Sequence, residues 1–371
     1  MENPLKKFFS SLGLFKRNES VLAIDIGSSS VKVIQLKKNK GRIVLETYGE
    51  LSTGPYADLA VGQAALLNSD KLAEIVADII KEANVTTTNG AISVPLRSSL
   101  LINIDIPKAG ENNLAEIVPI EARKYVPVPI SEVALDWWVV PEIKDSQSAL
   151  VPKIGGATKL EVLVVAIHKD TIKLFEELSQ RLGLGLGLFE IETFSAIRSV
   201  MRNDLSPTVV LDLGAGSSKV AIVDYGVIRT SHTISKGAQD ITLAISHSMG
   251  VPFEKAEEIK RKAGLVDQID NGQIRDSISS ILEYIFSETN RVMTSYQKKN
   301  SRAIDKVIVI GGGALLKGVF DLAKKSFEVP VYFGTPFDKV DYPAFLENIL
   351  KEAGPVFAVS IGIALRKLED I

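Results

Sequence analysis

The stretch VLAIDIGSSSVKVIQL, residues 21–36, decides the fold, because a close copy of it, VVLDLGAGSSKVAIV, follows at residues 209–223. Each copy is an apolar run rich in β-formers, a turn of small residues and a second such run, which predicts a hairpin. Both copies share the pattern Asp, apolar, Gly, two unspecified residues, Ser, one unspecified residue, Lys and Val. Its positions are Asp25, Gly27, Ser30, Lys32 and Val33 in the first copy, and Asp212, Gly214, Ser217, Lys219 and Val220 in the second.

These turns have the chemistry of an anion site. Gly and Ser let the backbone come close to a ligand and direct N–H and hydroxyl donors at it. An Asp just before the turn can hold a hydrated divalent cation. Two such hairpins that face each other would hold a polyphosphate and its metal ion from both sides. The alternative interpretation is a pair of ordinary tight hairpins in two similar sheets.

The composition excludes several classes of function. A chain of 371 residues with 46% apolar and 24% charged residues is long enough for two or more soluble domains. The net charge of -2 argues against a nucleic-acid binder. Without cysteine and with three scattered histidines, the chain forms no disulfide and has no pattern of zinc ligands. No membrane span or signal peptide is expected, which predicts a cytoplasmic location.

The first residues form a separate segment, residues 1–20. Within it, Leu5, Phe8, Phe9 and Leu12 share one helical face, and basic residues surround that face. Such a segment could touch an anionic membrane. We favour the alternative, a flexible leader or one that packs its Phe residues on the body of the protein.

The middle of the chain predicts a small α+β module inserted into the first domain. Residues 100–106, 133–140 and 159–167 have strand character, and residues 112–125 and 170–182 have helical spacing, with Pro119 expected to kink the first helix. Trp137 and Trp138 point to opposite faces of their strand, which predicts one ring in the module core and one in a seam. The run 183–187, GLGLG, lacks the GxGxxG spacing and follows a helix, so it predicts a helix end.

Two later motifs complete the candidate site. In the charged helix 252–263, Glu257 and Lys260 lie one turn apart and face the same way. The alternative interpretation of this spacing is an ordinary surface ion pair. The strand 306–310 runs into Gly311, Gly312, Gly313 and Ala314, after which residues 315–327 have helical character. A strand, a glycine turn and a helix would admit a flat ring and expose N–H donors.

Two phosphate hairpins, this charged helix and the glycine turn, in this order, resemble the actin and heat-shock chaperone ATPase superfamily over nearly the whole chain. The resemblance implies an α/β fold of two lobes, each RNase H-like, with ATP and Mg²⁺ in the cleft between them. It implies the phosphate contacts Asp25, Gly27, Ser28, Ser29, Ser30, Lys32, Asp212, Gly214, Gly216 and Ser217, with Asp25 and Asp212 on the metal. It implies the ribose and adenine contacts Glu257, Lys260, Gly312, Gly313 and Ala314.

The resemblance also implies a division of the chain. The first lobe would comprise residues 21–98 and 186–205 with the C-terminal helix 354–371, and the module residues 99–185. The second lobe would comprise a core of residues 206–237 and 303–353 and a helical subdomain of residues 238–302.

The inserted module is similar to that of the FtsA cell-division family and, more closely, to that of the PilM family of type IV pilus assembly. The short basic leader, the single module and the overall length favour the PilM family. FtsA proteins usually end in a membrane-targeting amphipathic helix, whereas this sequence ends in LEDI. The PilM resemblance implies that the cytoplasmic tail of an inner-membrane protein, PilN, docks in a groove between the first lobe and the module. The chain would then lie at the inner face of the membrane, with a homo-oligomer as a further option.

The candidate catalytic residue is Glu192, at the start of the connecting helix, where related filament proteins carry a residue that positions water. Glu192 could equally be an acidic residue at a helix N-terminus that only interacts favourably with the helix dipole. We therefore expect ATP hydrolysis to be slow or absent. Three functions remain open: an ATP-controlled assembly scaffold, an FtsA-like filament protein, and a metabolite kinase of the same superfamily. For the kinase, we find no catalytic Asp deep in the first lobe.

Overall fold

The computed structural model describes residues 20–108, 113–141, 159–202, 204–266 and 272–371. The leader, up to residue 19, and most of the polar loop between the second and third module strands lie outside the described residues.

The first lobe is built on a five-stranded sheet. Its strands are β1 (Ser20–Ile26), β2 (Ser30–Asn39), β3 (Arg42–Ser52), β4 (Asn89–Val94) and β8 (Gly185–Ile191). Their order is β3-β2-β1-β4-β8, with the first three antiparallel and the last two parallel to β1. Because side chains alternate along a strand, Leu22 and Ile24 pack towards helix α1 (Ser69–Glu82), whereas Val21 and Ala23 pack on the opposite face.

The second lobe repeats this topology. Its strands are β9 (Thr208–Leu213), β10 (Ser218–Asp224), β11 (Val227–Ile234), β12 (Lys306–Ile310) and β13 (Val331–Phe333). The order β11-β10-β9-β12-β13 has the same mixture of antiparallel and parallel pairs. The two copies of the hairpin therefore occupy equivalent positions in two sheets of the same topology.

Helices cover the second sheet. They are α5 (Ala238–Met249), α6 (Phe253–Ala263), the long α7 (Gln273–Asn300) and α8 (Val319–Ser326). Ile278, Leu282 and Phe286, on one face of α7, are buried in the core with Val209 and Leu211 of β9. The helices thus complete the hydrophobic core of the second lobe.

The module has a three-stranded antiparallel sheet. It contains β5 (Ser99–Pro107), β6 (Val133–Val139) and β7 (Lys159–His168), in the order β5-β7-β6, with helix α2 (Leu114–Ala122) packed on it. Trp137 packs in the module core, and Trp138 packs on the core of the first lobe, with its ring 5.2 Å from that of Phe194. The two rings therefore face the module interior and the seam, as their alternation predicts.

The helix α3 (Lys169–Leu182), predicted as part of the module, packs on the first lobe as well as on the module strand β7. Phe175 and Leu178 are buried in the core of the first lobe, and α3 contacts α1 and β8. The amphipathic pattern of α3 fits either sheet, and only tertiary packing decides between them. Gly183 ends the helix in a left-handed conformation, φ 62°, as the sequence indicates.

The chain passes between the lobes through two helices that cross. Helix α4 (Glu192–Val200) leads from β8 to the second lobe, and helix α10 (Ala358–Glu369) returns to pack on α4, β1, β2 and β4. The short helix α9 (Glu347–Ala353) precedes α10. Ala344–Glu369 has the length and apolarity of a membrane span, contrary to expectation, but 67% of its most apolar window is buried inside the fold. Its apolar character is explained by its place in the core.

Helix α1 begins with a cap at Asn68, whose side chain accepts a hydrogen bond from the Lys71 N–H at 2.9 Å. One local prediction, at the glycine turn, is wrong. After β12 the chain forms a short 3₁₀ turn, Gly312–Leu315, and the helix begins at Val319, not at residue 315. The glycine turn is therefore not itself a helix N-terminus.

The crossing of α4 and α10 depends on Gly362. A Cβ atom at this position would lie 1.7 Å from the Ser195 carbonyl oxygen. Gly→Ala normally stabilises a helix by about 1 kcal/mol, but here we expect Gly362→Ala to lower the free energy of unfolding by about 1–3 kcal/mol or more through overpacking. Urea unfolding measures this change. Gly185→Ala, whose Cβ would lie an ordinary 3.4 Å from Thr88, is the control; equal stability of the two variants would contradict the crossing.

Candidate functional site

A cavity of about 780 Å³ separates the two lobes, within the size range of small-molecule sites. Both hairpin turns, the start of α4, helix α6 and the glycine turn line it. Fifteen of the sixteen residues predicted for the site line this cavity: Asp25, Gly27, Ser28, Ser29, Ser30, Lys32, Glu192, Asp212, Gly214, Gly216, Ser217, Glu257, Lys260, Gly312 and Gly313.

The two turns have the same geometry. A Cβ on Gly27 would lie 2.9 Å from the Ser30 carbonyl oxygen, and one on Gly214 would lie 2.6 Å from that of Ser217. Asp25 is paired with Lys32 across the first hairpin, as Asp212 is with Lys219 across the second. The sequence repeat is therefore a repeat of backbone shape, in which glycine is needed at the same point of each turn.

The turns meet across the cavity. The Gly216 N–H donates to Ser28 Oγ at 3.2 Å, and the Ala64 N–H donates to Gln239 Oε1 at 2.6 Å, each joining one lobe to the other. The two motifs, distant in sequence, thus form one site.

Asp25 is a buried carboxylate at the bottom of the first turn. Its Oδ1 accepts a hydrogen bond from Ser93 Oγ at 2.7 Å. Burial raises the pKa of the Asp25 carboxyl, and the positive charge of Lys32 opposes that rise. Lys32 Nζ donates to Ser30 Oγ at 2.8 Å and lies 3.7 Å from Glu50. The lysine thus stands beside the turn where an anion would lie.

A second set of charges connects the lobes. Lys219 Nζ lies 2.9 Å from Glu192 Oε2 and 3.3 Å from Asp212 Oδ2, and Glu192 Oε1 accepts from the Leu96 N–H at 2.6 Å. Burial works to lower the pKa of Lys219, but Glu192 and Asp212 outweigh it and raise that pKa above its usual value. Both carboxylate oxygens of Glu192 therefore already have donors.

The donor set suits Mg²⁺. Among the described residues, no group of three or more His, Cys, Asp and Glu side chains could hold a metal ion by itself. Mg²⁺ usually keeps several waters and binds through one or two carboxylates together with substrate phosphates. One carboxylate from each lobe, Asp25 and Asp212, lines the cavity and fits this mode.

Glu257 and Lys260 form a buried pair. Lys260 Nζ lies 2.6 Å from Glu257 Oε2, which also accepts from Thr242 Oγ1 at 2.6 Å, and Arg261 Nε donates to Oε1 at 2.8 Å. Burial works to raise the pKa of Glu257, but Lys260 and its other partners lower it below the ordinary value. Glu257 thus stands as a fixed, ionised acceptor in the wall of the cavity.

The glycine turn forms another part of the cavity wall. At Gly312 an added Cβ would meet no atom within 4 Å, so the backbone there faces open space. Gly311, at φ 84°, has no room for a side chain, because a Cβ would lie 2.2 Å from Asp212 Oδ1. Ala314, the sixteenth predicted residue, does not line the cavity, since the 3₁₀ turn directs its methyl group into the core of the second lobe.

Several site residues were missed from the sequence. Gly311 and Arg261 line the cavity, and Ser93 holds Asp25. Lys219 could have been found, because it occupies the same place in the second copy of the pattern as Lys32 in the first. Ser93 gives no such signal, since a single Ser in an apolar strand is common.

Nearly the whole chain matches the model of a known protein family. The model of the family described as type IV pilus assembly protein PilM matches residues 23–368. The chain belongs to the PilM family. The match includes both hairpins, the module and the glycine turn, so it covers every element that forms the cavity.

Relatives and solved structures agree with this membership. FtsA of Neisseria meningitidis is 24% identical over 88% of this chain and 87% of its own length, and FtsA of Enterococcus faecalis is 23% identical over 92% and 82%. A PilM-PilN type IV pilus biogenesis complex matches with a TM-score of 0.78 and 24% identity, over 95% of this chain and 99% of that chain. MreB 5 of Spiroplasma citri bound to AMPPNP matches with a TM-score of 0.53 and 12% identity, over 96% and 98%. The predicted actin-like fold of this PilM-family chain is confirmed.

The lowered pKa of Glu257 predicts a pH dependence. Above the ordinary Glu pKa of about 4.3, the ionised form stabilises the fold, and that stabilisation is lost as the pH falls through the lowered folded value. Glu257→Gln should therefore destabilise the protein more at pH 7 than at an acidic pH below the lowered folded value, where the carboxyl is protonated in both states. Urea midpoints at the two pH values measure this, with the exposed Glu254→Gln as control; an equal loss at both pH values would contradict the assignment.

Proposed function

We propose that this PilM-family chain is an ATP-binding scaffold at the cytoplasmic face of the inner membrane, which binds the cytoplasmic tail of a PilN-like protein under control by nucleotide. The observation that carries the proposal is the convergence of two glycine-and-serine turns on one cavity. Family membership and the fold shared with a solved PilM-PilN complex support the partner.

In this proposal the hairpins bind the phosphates. The turn N–H groups and Lys32 neutralise phosphate charge, and Asp25 and Asp212 hold Mg²⁺ through water. The ion would shield the β- and γ-phosphate charges. Glu257 and Lys260 contact the ribose, and the open backbone face of Gly312 receives the adenine ring.

Turnover is proposed to be slow or absent. Hydrolysis needs a group that orients the attacking water. Glu192 is the candidate, but its two oxygens accept hydrogen bonds from Leu96 and Lys219. To orient a water, the carboxylate would have to release one of these donors.

The module has the contacts needed to respond to the cleft. Arg229 of β11 in the second lobe donates to Glu161 Oε2 of β7 at 2.8 Å and to the Pro141 carbonyl at 3.1 Å. Asn103 of β5 donates to the Arg229 carbonyl at 3.1 Å. The Arg229 side chain is only 6% exposed. These contacts would therefore transmit a movement of the second lobe to the module.

A second connection starts inside the cleft. Glu192 begins α4, and Phe194, in the same turn, packs on Trp138 of the module. A nucleotide that binds the closed cleft more tightly than the open one would favour one position of the module. A partner held between the module and the first lobe would then bind with nucleotide-dependent affinity, and the nucleotide with partner-dependent affinity.

Binding of a fluorescent peptide tests this proposal. The peptide carries the cytoplasmic N-terminal sequence of the PilN homologue from the same organism, and its Kd is measured with and without ATP and Mg²⁺. We expect a shift of about fivefold or more in the wild type. Asp25→Ala should lose ATP binding and the shift, and Arg229→Met should keep ATP binding but lose most of the shift.

Asp70→Ala, which removes an exposed ion pair with Arg181, is the matched control for the loss of an Asp. Absence of peptide binding in every condition would refute the scaffold, and undiminished ATP affinity in Asp25→Ala would refute the phosphate site. An equal shift in Arg229→Met and the wild type would refute the coupling alone.

The similarity to FtsA favours a second candidate, a self-assembling filament. Sedimentation with and without ATP separates the two functions. ATP-dependent pelleting of the wild type would select the filament.

A further inference from the structure

One basic side chain of the cavity differs from the others. Among the described residues, the basic side chains that line the cavity are Lys32, Arg97, Lys219, Lys260 and Arg261. Both arginine and lysine occur, but all of them except Arg97 form an ion pair with a carboxylate of the same cavity. Within the part of the chain that the structure describes, the Arg97 guanidinium has no hydrogen-bond or ion-pair partner. Its charge is therefore available to a ligand.

The backbone around Arg97 is held in place while its side chain is exposed. The Leu96 N–H donates to Glu192 Oε1 at 2.6 Å, and the Ser98 N–H and Ser98 Oγ each donate to the Pro95 carbonyl at 3.0 Å. Leu96 is buried, whereas Arg97 is exposed. The short turn therefore fixes the position of Arg97 at the edge of the cavity and leaves the guanidinium free to meet a ligand.

This edge lies at the phosphate end of the cavity. Leu96 bonds to Glu192, and Glu192 pairs with Lys219 of the second hairpin at 2.9 Å. Thr233 of β11, which pairs with Lys219 in register, also lines the cavity. Glu192 is the candidate for positioning a water that attacks the last phosphate, so Arg97 is next to the place proposed for that phosphate.

The chemistry of the side chain fits that place. Arginine is always charged, and its planar fork of N–H donors matches the oxygens of a phosphate. We propose that Arg97 binds the terminal phosphate of the nucleotide, so that this chain prefers a nucleoside triphosphate to a diphosphate. A diphosphate lacks that group and would leave the guanidinium in solvent. This inference rests on the proposed nucleotide binding.

Arg97 also lies on the segment that leads into the module. Strand β5 begins two residues later, at Ser99, and Asn103 of that strand donates to the Arg229 carbonyl of the second lobe at 3.1 Å. A terminal phosphate bound by Arg97 would therefore contact the segment through which the chain enters the module. The presence or absence of that one phosphate would act directly at the junction of the first lobe and the module.

Calorimetric titration of the full chain in Mg²⁺ tests the inference, with the non-hydrolysable triphosphate AMPPNP and with ADP. For the wild type we expect AMPPNP to bind at least about tenfold more tightly than ADP, since hydrogen bonds between charged groups are strong. For Arg97→Met we expect this preference to fall below about threefold, because AMPPNP binds more weakly while the Kd of ADP changes by less than about threefold.

Arg123→Met is the matched control. It removes an exposed arginine of the module that does not line the cavity, so both Kd values should stay unchanged. Equal affinities of the wild type for AMPPNP and ADP would overturn the inference without any variant. An equal loss for both nucleotides in Arg97→Met, or no loss for either, would also overturn it. Failure of both nucleotides to bind the wild type would instead refute the proposed function.

Discussion

The structure depends on the close meeting of two tight turns that lie far apart in sequence. Each turn closes on a glycine whose Cβ position is filled by a carbonyl oxygen, and the two turns touch through Ser28 and Gly216. Because the turns end equivalent strands of two sheets, their contact joins the two lobes directly at the cleft. The cavity, the buried lysines and the carboxylates all follow from this arrangement.

Charged side chains also join the two lobes across the cleft. Asp25 and Glu192 belong to the first lobe and Asp212 and Lys219 to the second, so ion pairing as well as backbone contact joins the two halves. At Gly362, helix α10, which packs on the first sheet, also lies against α4, the helix that leads to the second lobe. Through Phe194 and Arg229 the module is attached to both lobes. A ligand in the cleft would therefore act on a structure whose parts are mechanically connected.

Much of this could be predicted from the sequence, because the decisive signals are local. A strand, a glycine turn and a strand, present twice, predicted both hairpins and nearly all cavity residues, and helical spacing predicted the Glu257–Lys260 pair. Tertiary packing decided the rest. The amphipathic face of α3 fits either of two sheets, Ala314 turns inward because a 3₁₀ turn replaces the expected helix, and the partner of Lys219 comes from the other lobe.

A disulfide across the cleft would test the central claim most directly. The chain has no cysteine, and a Cβ on Gly216 would lie 3.5 Å from the Ser28 Cβ, within the spacing of about 3.5–4.5 Å that a disulfide requires. We expect Ser28→Cys/Gly216→Cys to form an intramolecular disulfide on mild oxidation, seen by mass spectrometry, while each single variant keeps a free thiol. Two thiols that remain open to a maleimide after oxidation would contradict the convergence of the turns.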